Sequence, residues 1–86
     1  MKINLRITFL SGESKNVVAT AADLVAFEDK FNISAVKLES DPRITYLMWL
    51  AWHAMYRAKL TTETFENWVD LVEVVGGNDA DPKSVA

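Results

Sequence analysis

Hydrophobic positions in this chain recur first at every second residue and then at every third or fourth. Ile3, Leu5, Ile7 and Phe9 alternate with Lys2, Asn4, Arg6 and Thr8. A period of two over this length predicts a half-buried strand. Ser11-Gly12-Glu13 predicts a turn, because glycine reaches positive φ without a Cβ penalty. Lys15 to Ala19 then predicts a returning antiparallel strand, giving a hairpin over about 2–19. An isolated hairpin is marginal in water, so its apolar face is expected to lie on helices. At least one strand edge stays open unless something pairs with it.

The period changes after Thr20. Thr20-Ala21-Ala22-Asp23 reads as a capping box, with Asp23 in the first turn where the helix dipole favours an anion. Leu24, Phe27 and Phe31 share one face of a helix over about 21–31, and Asn32 suits a left-handed cap. Residues 33–38 predict a loop with one helical turn, tucking Ile33, Val36 and Leu38 under the domain. Asp41 as N-cap and Pro42 at the first position open a helix over about 42–59. Arg57 and Lys59 sit at its negative end.

This central helix has no charged side. Ile44, Leu47, Met48, Ala51, Trp52, Ala54, Met55 and Ala58 form one broad face, and Tyr46, Trp49, His53, Tyr56 and Arg57 the other. A helix apolar or aromatic nearly all round must be covered on more than one side. A third helix over about 63–75, capped by Thr62, turns back antiparallel to it. Phe65, Trp68, Val69, Leu71, Val72 and Val75 form its apolar face, and Glu63, Glu66, Asp70 and Glu73 an acidic stripe. Its end, Val72-Glu73-Val74-Val75, is β-branched and a poor helix former, and Gly76-Gly77 stops it. The pattern therefore predicts an α+β fold, an N-terminal β-hairpin packed on a small three-helix bundle in the order ββααα. Residues 1–75 form one domain and 76–86 a flexible polar tail. The expected core is Leu24, Phe27, Phe31, Leu47, Met48, Ala51, Trp52, Met55, Phe65, Trp68 and Val72.

Composition narrows the function classes. The chain has 86 residues, no cysteine and a net charge of −3. An acidic balance argues against a nucleic-acid partner, since phosphate binding wants a basic surface. The apolar run from Tyr46 to Met55 falls far short of the roughly 20 residues a membrane span needs. No signal-peptide pattern opens the chain.

Catalytic and metal chemistry find little support. His53 is the only histidine, and positions 49, 50, 56 and 57 offer it no carboxylate at helical spacing. A packed or interface histidine bonded to a carbonyl or water is the expectation. Glu28, Asp29, Glu63, Glu66, Asp70 and Glu73 read as solvated helix faces. Ser11-Gly12-Glu13-Ser14 lacks the glycines and lysine of a phosphate loop. No catalytic residue, cofactor or metal ligand is assigned. Tyr46, Trp49, His53, Tyr56 and Arg57 are residue types enriched at interfaces and are the candidate interface residues. With the open hairpin edge, they predict that the chain forms a homo-oligomer or holds a partner helix.

At this point the chain resembles a family. Its features are the Ile3–Phe9 hairpin with a glycine turn, then the helix ending Ala26-Phe27-Glu28-Asp29-Lys30-Phe31-Asn32-Ile33-Ser34-Ala35. Next come Leu50-Ala51-Trp52-His53-Ala54 with Arg57 one turn on, Phe65-Glu66-Asn67-Trp68-Val69-Asp70, and a polar tail. Over residues 2–75 this is similar to the tail assembly chaperones of long-tailed phages of Gram-positive and actinobacterial hosts, in their short form. The resemblance implies a non-enzymatic protein of the host cell cytoplasm. Such a protein binds the tape measure protein, keeps that helical polymer soluble and helps recruit tail tube subunits. Two other readings compete. One is a small structural virion protein such as a head–tail connector or tail component. The other is a phage-encoded inhibitor of a host protein.

Overall fold

The alternation at the N-terminus becomes a sheet, and a later part of the chain covers one of its edges. The computed structural model describes residues 2–41 and 43–77. Strand β1 (Ile3–Phe9) pairs antiparallel with β2 (Ser14–Ala19), with Ile3 opposite Ala19 and Thr8 opposite Ser14. Gly12 in the turn has φ of 98°, a conformation closed to most side chains. The alternation places Leu5, Ile7, Val17 and Ala19 on one buried face.

Helix α1 (Ala21–Phe31) starts where the capping pattern predicts. The Asp23 carboxylate reaches back to the Thr20 N–H at 2.9 Å. Asn32 ends the helix at φ 56°, its N–H donating to the Glu28 carbonyl at 2.8 Å. The single turn α2 (Lys37–Ser40) follows. Leu38 is buried as expected, but Val36 is exposed. One turn of helix offers one side to the core, and Leu38 takes it.

Helix α3 (Ile44–Arg57) begins later than predicted. Its N-cap is Arg43, not Asp41, whose carboxylate instead accepts from Arg43 Nε at 3.1 Å. Pro42, expected at the first helical position, lies outside the described residues. The helix ends at Arg57, before the predicted end, and Lys59 just past it takes φ of 64° and turns the chain. Ile44 and Ala58, placed on the buried face by the wheel, are exposed at the two ends, while Leu50 is fully buried.

The largest correction concerns 63–75. The predicted third helix is instead the short α4 (Phe65–Val69) followed by β3 (Val72–Gly77). Thr64, not Thr62, caps α4, its side chain accepting from the Asn67 N–H at 3.2 Å. β3 pairs antiparallel with the free side of β1, so the sheet order is β2-β1-β3. The β-branched run at 72–75 suits a strand, and an open edge was waiting for one. Thr8 faces Val74 and Phe9 faces Val72, which leaves Glu73 as the extra residue of a bulge. The predicted acidic stripe therefore does not exist. Glu63 precedes α4, Asp70 follows it and Glu73 sits on a strand. Gly76 and Gly77 do not stop a helix but extend the strand opposite Arg6 and Leu5. The fold thus continues past the predicted boundary at 75. The rest of the predicted tail, 78–86, lies outside the described residues.

The architecture is α+β with an N-terminal hairpin, but the helices do not form a three-helix bundle. α3 lies on β2 and β3 and packs against α1, giving two layers. Leu24, Phe27, Ala51, Met55, Trp68 and Val72 are buried as expected. Phe31, Leu47, Met48, Trp52 and Phe65 are half-buried at the core margin. Among the described residues no helix is long and apolar enough to cross a membrane.

Candidate partner-binding surface

Tyr46, Trp49, His53 and Arg57 follow one another at spacings of three and four, so they form one stripe along α3. On α1, Asp23, Phe27 and Phe31 form a stripe at spacings of four. The two stripes meet antiparallel. Phe27 and Phe31 pack on Tyr46 with ring centroids 5.3 and 5.1 Å away, and Phe31 meets Trp49 at 5.8 Å. Trp49 is only 7% exposed. Its indole stacks on the His53 ring at 4.8 Å with 21° between the planes.

At the other end of the stripe lies Asp23, which is fully buried. Its Oδ1 accepts from His53 Nδ1 at 2.6 Å and from Arg57 Nε at 3.1 Å. Its Oδ2 accepts from Arg57 Nη2 at 2.8 Å and from the Thr20 N–H at 2.9 Å. An ionised carboxylate only accepts, so His53 carries its proton on Nδ1. Burial pushes the Asp23 carboxyl up. The Arg57 hydrogen bond, the Thr20 N–H and the His53 bond together outweigh that and hold it below its ordinary 3.8. The Arg57 guanidinium is in turn raised by its bond to Asp23. Both helix dipoles favour the pair, since Asp23 is in the first turn of α1 and Arg57 in the last turn of α3.

This corrects the reading of His53. Its partner is neither carbonyl nor water but a carboxylate 30 residues away. The signal was present: Asp23 occupies the apolar stripe of α1, one turn before Phe27, where a solvated charge does not belong. A carboxylate-oriented imidazole can serve a general base. His53 lines none of the three clefts described below. Among the described residues no three His, Cys, Asp or Glu side chains cluster so as to hold a metal ion. Glu28 has a structural contact, accepting from the Ala35 N–H at 2.7 Å.

Of the five candidate interface residues, four are thus engaged by α1, and Trp49 shows only an edge of its ring, at the cleft described next. Tyr56 is 52% exposed, and Arg57 stays exposed beside it although it is bonded to Asp23. Its ring lies 5.3 Å from Trp52, which lies 5.8 Å from Phe65. Trp52 Nε1 donates to the Glu63 carbonyl at 2.9 Å and ties α3 to the segment before α4. These three rings, with the edge of Trp49, form one wall of a shallow cleft of about 470 Å³, with Lys30, Glu63 and Glu66 around it. A second cleft of about 370 Å³ lies between α1 and the segment 35–38. A third, of about 420 Å³, lies beside the start of β3. No protein-family model, curated protein or solved structure matches the chain.

Proposed function

We propose that this protein is a phage tail assembly chaperone of the host cytoplasm. It binds the tape measure protein, keeps it soluble and helps recruit tail tube subunits without catalysing a reaction. The family resemblance of residues 2–75 supplies the identity of the partner. The structural observation that supports a binding role is the wall of Tyr56, Trp52 and Phe65. Tyr56 is exposed and is backed by the half-buried rings of Trp52 and Phe65; Trp and Tyr are residue types enriched at interface anchors, and an apolar helix face can lie along them. Tyr56, the most exposed ring of this wall, is the contact on α3 that the proposal rests on.

The test is co-expression with the tape measure protein. The wild-type chain should carry it into the soluble fraction and co-purify with it, whereas Tyr56→Glu should release it. The chain should be missing from purified particles. Finding it there in stoichiometric amounts would instead favour the structural virion reading. Co-purification with a host enzyme, and not with the tape measure protein, would favour the inhibitor reading.

A further inference from the structure

Leu10, Leu60 and Leu71 are 67%, 53% and 49% exposed. Exposed leucines scattered singly are ordinary. These three come from separate parts of the chain and line the same cleft of about 420 Å³, floored by Phe9, Met55 and Trp68. Their backbone is held in place. The Leu10 N–H donates to the Leu71 carbonyl at 2.9 Å, and the Leu60 N–H to the Met55 carbonyl at 2.8 Å. A convergent apolar patch with a polar rim is the kind of surface a partner's apolar stripe can cover.

We propose that this cleft docks an amphipathic helix whose apolar stripe is flanked by lysine or arginine. Charge selects the occupant. Glu13, Glu63 and Asp70 line the cleft against a single cation, Lys15. Basic flanks complement that rim. A second copy of this chain does not, because a two-fold contact sets the same carboxylates against themselves. An added strand is also disfavoured. The bulge at Glu73 breaks the regular ladder of β3 next to the cleft, a device that blunts strand edges. A helix presenting aliphatic side chains one turn apart meets the three leucines without needing that edge. The site shares Glu63 with the cleft beside Tyr56 but none of its rings, and the proposal stands whether or not the chaperone reading does.

Trp68 provides the readout. Its indole N–H is buried without a hydrogen-bond partner among the described residues, while that of Trp52 is bonded to Glu63. The ¹⁵N-labelled protein would be titrated with a synthetic helical peptide carrying a leucine stripe and lysine flanks. Two controls have glutamate flanks or a scrambled stripe. The lysine peptide should shift the Trp68 indole signal and the amides of Leu10, Leu60 and Leu71 saturably. The glutamate peptide should bind at least about tenfold more weakly. Leu60→Asp and Leu71→Asp, both at exposed positions, should abolish the shifts and leave the rest of the spectrum in place. Equal binding of all three peptides, or shifts unaffected by either variant, would overturn the proposal. So would the same shifts appearing on concentrating the protein alone, which would make a second copy the occupant.

Discussion

Helix α3 carries aromatic residues on two sides, and the two sides meet different fates. Toward α1, Tyr46 and Trp49 lie against Phe27 and Phe31, and His53 and Arg57 close on the buried Asp23. Toward α4, Trp52, Tyr56 and Phe65 touch one another edge to face or tilted and remain open to solvent along one flank. The residue types are nearly the same on both sides, so composition alone does not separate core from interface. What separates them is the length of the neighbour. α1 runs Ala21–Phe31 and presents Asp23, Phe27 and Phe31 along α3, whereas α4 runs only Phe65–Val69. A five-residue helix cannot cover a face four turns long.

Damage to the covered side should have the largest effect. Trp49→Ala removes a buried ring from between two helices and should cost about 3–5 kcal/mol, enough to unfold much of so small a domain. Trp49→Glu would suit a surface anchor but should be at least as damaging, because it buries a charge. Trp52→Ala should cost less, since that ring is half-buried and loses one hydrogen bond to Glu63. Thermal melts of the three variants decide the ranking. A Trp49→Glu variant melting like wild type would show that α1 does not cover this side in solution.

Asp23→Ala should come next. It leaves His53 and Arg57 without their shared acceptor and should cost about 3 kcal/mol, the low end for breaking a buried pair, because both partners can rehydrate. Asp23→Asn keeps the shape and should be milder. A urea titration giving either variant wild-type stability would mean that the cluster adds nothing.

The same cluster predicts a pH dependence of definite sign. The native Asp23 carboxyl sits below its ordinary 3.8, so the unfolded chain binds this proton more tightly. The stabilisation is therefore complete above that ordinary value. It drains away as the pH falls through 3.8 toward the lowered native value. Urea denaturation of wild type and Asp23→Asn, compared from about pH 6 to about pH 2, should show the gap between them closing on the acid side. A gap that holds constant or widens with acid would contradict the ion pair.

The elements with a clean local period were legible in the sequence, namely the hairpin and α1 with its caps at Thr20 and Asn32. β3 was not. Phe65, Trp68, Val69, Val72 and Val75 fit one helix face as well as they fit a short helix and a strand. The choice was made by the unpaired edge of β1, which is a tertiary fact. The weak helix propensity of Val72 to Val75 was the one local hint. The link from Asp23 to Arg57 spans 34 residues, and no helical spacing reports on it. Its trace was an acid standing in line with Phe27 and Phe31, which the capping reading had already explained in another way. The aromatic wealth of α3 was legible as needing cover, but how much of that cover α1 supplies was not.

The smallest expected effect on stability belongs to the open side, and it carries the functional half of the comparison. Tyr56 is half exposed and makes its described contact through a tilted ring stack on Trp52. Tyr56→Glu should therefore change stability by no more than about 0.5 kcal/mol, as surface substitutions generally do. If the wall binds an apolar helix face, the same change places a charge where the partner must exclude water, and capture of the tape measure protein should fall by at least about tenfold. Tyr56→Phe keeps the ring and should preserve capture, which separates the loss of the aromatic surface from the loss of a hydroxyl. Melting curves and pull-downs on the same preparations read both quantities together. A Tyr56→Glu protein that melts like wild type and still captures the tape measure protein would show that the open aromatic side is no partner surface.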